Sequence, residues 1–458
     1  MMDDRYAAFL ARKAPRADAI GFEPGDMPSH LFDFQAECTS AAIRMGRAGL
    51  YLDTGLGKTR CELEWSWQCL QQGNGKALIL TPLAVAKQIE REGQALGYDC
   101  RVIRDQSEAK AGINICNYDR LDKLEPDAFD AVALDESSIV KNFGGKVAEG
   151  LIAAFAGHRF RLSATATPAP NDHMELGQQA SFLGIMPANE MLMRWFINDT
   201  KEASQKWRLK GHAQDDFWDW MASWSRMAQN PEDLGFDGSR YVLPPLEVVK
   251  HRAVGGMVAL DGGLLSSRVS ATNMHEIKRQ TAGARADVMA TVSDDDQPFI
   301  CWCDTDYEAD ALKDRMPDAV EVRGSMSIER KEENLEAFSL GQVRRIITKP
   351  SVAGFGLNWQ HCANMGFAGR TFSYEAWYQA VRRSWRFGQA RPVTAHIAVA
   401  DGEDQIGDVI DRKATDHAKM KAAMVKAMRR AVNRGAARKI TYSPTHKGTV
   451  PSWLTSAA

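Results

Sequence analysis

The chain has 458 residues, which suits two to four domains at roughly 100–200 residues each. With 44% hydrophobic and 25% charged residues it reads as globular, no stretch approaches the roughly 20 apolar residues of a membrane helix, and the opening "MMDDRYAAFLARKAPRADAIGF" lacks the apolar run of a secretory leader, so a cytoplasmic protein without membrane contact is expected. A formal net charge of −2 neither supports nor excludes a nucleic-acid partner, because such binding answers to local fields.

Apolar, β-rich runs alternate with helical patterns through the first 180 residues. "GLYL" leads into the glycine-rich "DTGLGKT" and then a segment that reads as helix. "KALILTP" (Lys76–Pro82) is a buried-type strand, and "CRVIR" and "GINICNY" are shorter ones. "DAVALDE" (Asp130–Glu136) runs into two acids, and "RFRLSAT" (Arg159–Thr165) follows. Strands alternating with helices predict a parallel sheet, whose ligands bind beyond the carboxyl ends of the strands. The glycine turn, Asp135-Glu136 and Ser163-Ala164-Thr165 are therefore expected along one edge.

From Gly184 to about Ser293 the pattern turns helical and then loop-rich. Phe217, Trp220, Met221, Trp224 and Met227 recur at helical spacing, which predicts core or interdomain packing rather than base stacking. "GFDGSRYVLPP" carries turn and proline signals that close the first domain or begin a linker. A second alternating region starts near Gln297. "PFICWC", "AVEVRG", "VRRIITK", "MGFAG" and "VTAHIAVA" read as its strands. "SIERKEENLEAF" reads as a helix capped by Ser327, with a favourable Arg330–Glu333 pair. From Arg412 to Lys447 the chain is rich in Lys and Arg, including Lys421, Arg429, Arg430, Arg438 and Lys439. That basic helix is either a solvated face or a phosphate contact. Eight scattered cysteines form no C-x-x-C pair and no histidines sit at zinc spacing, so reduced thiols and no structural metal are expected.

The core Gly55-Leu56-Gly57-Lys58-Thr59 has the composition of a phosphate loop, although Leu52 occupies the position of its first glycine. Backbone N–H groups of such a loop and of the following helix surround phosphates. Lys58 would reach the β- and γ-phosphates, and the Thr59 hydroxyl would bind Mg²⁺. Asp135, at the end of an apolar strand, is the metal-holding acid, and Glu136 is placed to orient or deprotonate an attacking water. Arg383 and Arg386 lie three apart on a predicted helix, one turn beyond Gln379, so both are expected to face one cleft.

In order along the chain, "DTGLGKT", "LILTP", "DESSIVKN", "LSATATPAPND", "LPPLEVV", "EVRGSMSIERKEENLEAF", "PSVAGFGLNW" and "YQAVRRSWRFGQ" resemble the motifs of superfamily 2 helicases, in the Swi/Snf-like translocase branch. The likeness runs from about Leu31 to Ala400 and is closest to compact, phage-encoded members with DEAD/DEAH-box-like acids. It implies two tandem RecA-like parallel-sheet lobes: residues 1–240 with a helical insertion from about 184, a linker 241–295, a second lobe 296–440 and a tail 441–458. It implies ATP and Mg²⁺ as cofactors, with Gln35 reading adenine and Thr54, Gly55, Leu56, Gly57, Lys58, Thr59, Gly356 and Gln379 around the nucleotide. Arg383 and Arg386 would cross the lobe interface to the γ-phosphate, a contribution typically worth about 10³–10⁵ in rate. Arg382 is assigned no role. Thr81, Pro82 and Ser351 would touch a nucleic-acid backbone with little sequence preference.

Ser137-Ser138 stands where the family has Ala-His, which puts the coupling of hydrolysis to polymer binding in question, with Thr165 and Thr167 as substitute hydroxyl partners between lobes. The reading is an ATP hydrolase moving as a monomer on duplex DNA, in the host cytoplasm if phage-encoded, with replication or recombination proteins as partners. The alternatives are a strand-separating DNA or RNA helicase, and an ATP-gated clamp or partner-directed ATPase.

Overall fold

A computed structural model describes residues 16–141, 145–169, 173–199, 206–254, 271–354, 356–369, 373–400 and 404–436. Arg438, Lys439, Lys447 and the 441–458 tail, named above, lie outside the described residues, as do Asn142 and Asn171 of the quoted motifs "DESSIVKN" and "LSATATPAPND".

Two all-parallel sheets carry the chain, as the alternating pattern predicts. The first contains β1 (Arg47–Leu52), β2 (Lys76–Thr81), β3 (Cys100–Val102), β4 (Gly112–Asn117), β5 (Ala131–Asp135), β6 (Phe160–Ala164) and, beyond a short antiparallel hairpin of β7 (Phe196–Asp199) and β8 (Lys206–Leu209), β9 (Ser225–Ala228). Their order is β3-β4-β2-β5-β6-β1-β9. The second sheet contains β10 (Leu246–Arg252), β11 (Phe299–Trp302), β12 (Val320–Val322), β13 (Arg345–Thr348), β14 (Asn364–Phe367) and β15 (Val393–Val399), in the order β10-β15-β14-β11-β13-β12. These are tandem α/β lobes of the RecA-like kind. The stretch expected as a linker is in part sheet: Leu246–Arg252 pairs along its whole length with β15, because Val248 and Val249 extend the register of an otherwise open edge.

Period-two patterning builds the second lobe's two cores. Ile300 and Trp302 of β11 face one apolar cluster, whereas Phe299 and Cys301 face another on the opposite side. Ser327 caps the Ile328–Ser339 helix by accepting from the Arg330 N–H, and Arg330 pairs with Glu333. Phe217, Trp220, Met221 and Trp224 of the Gln214–Trp224 helix are buried in the first lobe's core, with Trp195 beside them. All eight cysteines are buried, unbridged thiols. Among the described residues, no helix is long and apolar enough to cross a membrane.

The last helix, Asp404–Ala436, follows the second sheet yet returns to the first lobe. Met420, Met424, Ala427 and Met428 join the first lobe's core cluster. Burying a methionine side chain contributes roughly 1.5–3 kcal/mol, so this return is a substantial attachment. Some of its basic residues meet first-lobe acids, Arg430 pairing with Asp215 and Asp219 and Arg429 with Asp233, whereas Arg412, Lys419 and Lys426 are exposed.

Candidate active site between the two sheets

Register places the chemistry. Leu50 of β1 and Asp135 of β5 both pair with Ala164 of β6, so β5 and β6 end at one level and β1 runs two residues beyond it. Asp53, Glu136 and Thr165 follow on the same edge. Past β1 the chain turns through Gly55 and Gly57, both at positive φ (91° and 77°), before the Lys58–Leu70 helix begins. The close approach at Gly55 is to the other lobe: a Cβ there would lie 2.8 Å from the Phe387 nitrogen.

One cleft of about 310 Å³ is lined by Thr54, Gly55, Gly57, Lys58, Thr59, Asp135 and Glu136 from the first lobe and by Gly356, Arg383 and Arg386 from the second. The expected residues of both walls therefore meet. Leu56 and Gln379 do not line this cleft; both act behind it. The Leu56 carbonyl accepts from Gln35 Nε2 at 2.9 Å. Gln379 holds Arg383, accepting from its guanidinium on Oε1 (2.9 Å) and on its carbonyl (2.9 Å). Gln35 itself lines the cleft, with Oε1 accepting from the Phe32 N–H at 3.0 Å.

Each acid is fixed. Thr81 donates to Asp135 Oδ2 at 2.8 Å, and Thr165 donates to Glu136 Oε2 at 3.2 Å. Glu136 has φ 52°, the only positive value on a non-glycine among the described residues. Such strain is found where the surrounding structure over-determines a functional side chain. Burial, then the neighbouring Glu136 charge, pushes Asp135 up to about 6, against the pull of Thr81 and Lys58. Thr81, expected at a polymer, is buried, and its hydroxyl is turned to Asp135.

The cations are crowded. Burial lowers Lys58 below its ordinary range despite Glu136, Asp53 and Asp135 nearby. Burial brings Arg383 down to about 10, and burial with repulsion from Arg383 and Arg382 brings Arg386 down to about 9. Arg386 Nε is buried without a hydrogen-bond partner. Three cations lining one cleft, with a donor left over, form a site suited to a polyanion. The arginines do not sit on a helix as expected. The Tyr374–Val381 helix stops before them because Arg383 folds back onto the Gln379 carbonyl, and both guanidiniums donate to the Leu357 carbonyl (3.0 and 3.1 Å).

Side chains given no role in the sequence reading, Asp53, Tyr378 and Arg382, join Gln379 and Thr167 in binding the walls together. Asp53, buried just before the glycine turn, meets Arg382 (3.3 Å), Lys421 (3.1 Å) and the Tyr378 hydroxyl. Burial alone would raise this carboxyl; Arg382, Lys421 and the hydroxyl instead hold it well below the usual range. Arg382, assigned no role above, also donates to the Thr54 carbonyl at 2.8 Å. Gln379 Nε2 donates to Thr167 at 3.1 Å, and Lys141 pairs with the buried Glu375. Thr167 is thus a hydroxyl partner between lobes, whereas Thr165 serves Glu136 within its own lobe. Of this network the sequence reading names Thr167 as an interlobe hydroxyl, while Asp53 stands there only as an unassigned acid after an apolar strand.

A second cleft, of about 490 Å³, adjoins the first and shares Glu136 with it. Pro82, Tyr118, Ser138 and Lys141 line it from the first lobe, and Lys331, Ser351 and Val352 from the second. Pro82 and Ser351 are therefore brought together, without Thr81.

Mg²⁺ fits the first cleft. Asp135 and Thr59 offer one carboxylate and one hydroxyl, and no three-residue cage of His, Cys, Asp or Glu occurs among the described residues. Magnesium commonly takes one or two carboxylates and completes its shell with phosphate oxygens and water.

No family model and no curated protein matches the chain. Among solved structures it is similar to the SWI2/SNF2 ATPase core of Sulfolobus solfataricus in complex with double-stranded DNA. The identity is 16%, the match covers 89% of this chain and 96% of that one, and the TM-score is 0.41.

Proposed function

We propose that the chain is an ATP-driven translocase of the superfamily 2 kind that moves on duplex DNA. The observation that carries this reading is the meeting of Lys58, Asp135 and Glu136 with Arg383 and Arg386 across two sheets, in a cleft that shares Glu136 with a second groove. ATP is the substrate. Backbone N–H groups of the Gly55–Thr59 turn and the Lys58 ammonium hold its phosphates. Asp135 and Thr59 would hold Mg²⁺, which when bound would supply positive charge to offset that of the phosphates.

Glu136, steadied by Thr165, accepts the proton of the attacking water. Arg383 and Arg386 stabilise charge on the transferred phosphoryl group, and they reach it only when the lobes are together. Departure of the γ-phosphate removes the anion that draws the two arginines to Lys58, so the lobes part. The groove lined by Pro82, Ser138 and Ser351 takes the polymer backbone, and Glu136 lies on the wall between the two events. Alternating grip by the two lobes converts each cycle of closure into a step.

The test is the ATPase rate with no polymer, with single-stranded DNA, with duplex DNA and with RNA, beside triplex-displacement and duplex-unwinding assays. Stimulation by duplex DNA with triplex displacement and no unwinding is expected. Unwinding would establish the strand-separating alternative. Turnover indifferent to every polymer would overturn the translocase and leave a partner-directed ATPase.

A further inference from the structure

Glu136 stands at a break in the backbone. The chain before it is β5, fixed by the sheet on both sides. At Glu136 φ becomes 52°, and the Ser137–Lys141 turn begins, its first bond running from the Ile139 N–H to the Glu136 carbonyl at 3.2 Å. Thr165 holds the carboxylate, but one hydroxyl on Oε2 does not fix the backbone that aims it. A left-handed conformation on a residue with a Cβ persists only where the chain on both sides is held. The sheet holds one side; the other needs a clamp of its own.

Gln179 supplies it, from outside the helicase-like motifs. It lies on the Glu175–Leu183 helix, whose Leu176, Ala180, Phe182 and Leu183 belong to the first lobe's core, so its backbone is anchored. Gln179 Nε2 donates to the Ser137 carbonyl at 2.9 Å, and Gln179 Oε1 accepts from the Ser163 hydroxyl. The hydroxyl oxygens of Ser163 and Ser137 are themselves hydrogen-bonded at 2.9 Å, which closes a ring of three side chains. All three are fully buried. In such a place each polar group left unpaired is costly, so the ring holds Ser137 in one position. Neither Gln179 nor Ser137 lines either cleft.

We propose that Gln179 is a positioning residue for Glu136: by holding Ser137 it fixes the chain just after the acid and so sets the direction in which the carboxylate leaves the backbone. This rests on the nucleotide reading of the first cleft given above. Gln179 touches no substrate, so it acts on hydrolysis only through Glu136 and leaves the phosphate loop alone.

The experiment measures ATP affinity and single-turnover hydrolysis for the full chain and for Gln179→Leu, alone and combined with Glu136→Gln or with Arg386→Ala. Rates are expressed per ATP-binding site, so unfolded molecules are not counted. Leucine fills nearly the volume of glutamine and makes neither hydrogen bond. Gln179→Leu should lower the rate roughly ten- to a hundredfold, the cost of a misaimed group, with ATP affinity within about twofold of the parent. Added to Arg386→Ala it should multiply the loss. Added to Glu136→Gln it should change nothing further, because the group it aims is already gone. A glutamine that only sealed the loop would lower stability and leave the rate per site untouched. Such an untouched rate, or the same further loss in both backgrounds, overturns the positioning role. Ser137→Ala deletes one hydroxyl of the ring and keeps the Ser137 carbonyl. It should cost roughly fivefold in rate, the worth of one neutral hydrogen bond, and it decides the matter if Gln179→Leu does not fold, an unaltered rate overturning the role. Full turnover by Glu136→Gln, or a parent that hydrolyses no ATP, overturns the nucleotide reading itself.

Discussion

The two walls of the cleft are made differently. On the first-lobe wall the reactive groups stand one or a few residues past strand ends that share a register, so Lys58, Asp135 and Glu136 inherit the rigidity of a seven-stranded sheet. On the second-lobe wall Arg383 and Arg386 sit in a turn beyond a helix end, more than ten residues from β14, held there by the hydrogen bonds they donate to Gln379 and to the Leu357 carbonyl. One wall is set by backbone, the other by side chains. A rigid wall can bind substrate in any state of the lobes, whereas a wall held by replaceable contacts can be assembled and released in each cycle. The Asp53 cluster is where the second wall is tied to the first.

The largest test of this contrast is Arg386→Ala. It should lower ATP turnover by about 10³–10⁵ while ATP binding changes far less, because the first wall binds without it. Single-turnover rates beside nucleotide affinity measure both, and equal losses in the two would erase the division of labour. Next in size is Lys421→Ala. Removing one cation from the buried Asp53 cluster should destabilise the protein by about 3 kcal/mol in denaturant unfolding, the low end for breaking a buried pair, since Arg382 remains. Gln379→Ala follows. Gln379 positions Arg383 rather than touching phosphate, so up to about a hundredfold should be lost in kcat with KM nearly unchanged, and Gln379→Glu, which keeps the acceptor, should recover part of it.

The smallest effect is a pH slope. His417 is buried on the returning helix, edge-on to Tyr374 and Tyr378, with Lys421 one turn away and Asp53 beyond it. Burial, reinforced by Lys421, brings it down to about 4 from an ordinary 6.5. Between those values the unfolded chain binds the extra proton and the folded chain does not, so stability falls as pH drops through this window. The loss should be about 1 kcal/mol at pH 5.5 relative to pH 7.5. His417→Phe should flatten it, and an unchanged slope in that variant would place the titrating group elsewhere.

The contrast between the walls also explains what could be read from the sequence. Strand-end chemistry is local: "DTGLGKT" after "GLYL" and two acids after "AVAL" carry their own context, and the shared edge followed from parallel pairing. The second wall depends on contacts that spacing does not encode. Helical periodicity in "YQAVRRSWRFGQ" continues past Val381, but the backbone turns there because Arg383 takes the Gln379 carbonyl. Lys421 and Asp53 are 368 residues apart, and within a lysine-rich helix nothing marks which charge turns inward. The strand Ser225–Ala228 was missed for a related reason: "SRMA" has little β character, and it is recruited because β1 offers an open edge to pair with.

The returning helix has a consequence for how the polypeptide is made. Met420, Met424, Ala427 and Met428 complete an apolar core whose other members are all synthesised before residue 235. During translation the N-terminal half therefore emerges with a greasy seam uncovered and must wait for some two hundred further residues, about ten to forty seconds at ordinary ribosomal speed, before it is sealed. Nascent chains halted short of Asp404 should be the aggregation-prone species and the ones that chaperones hold.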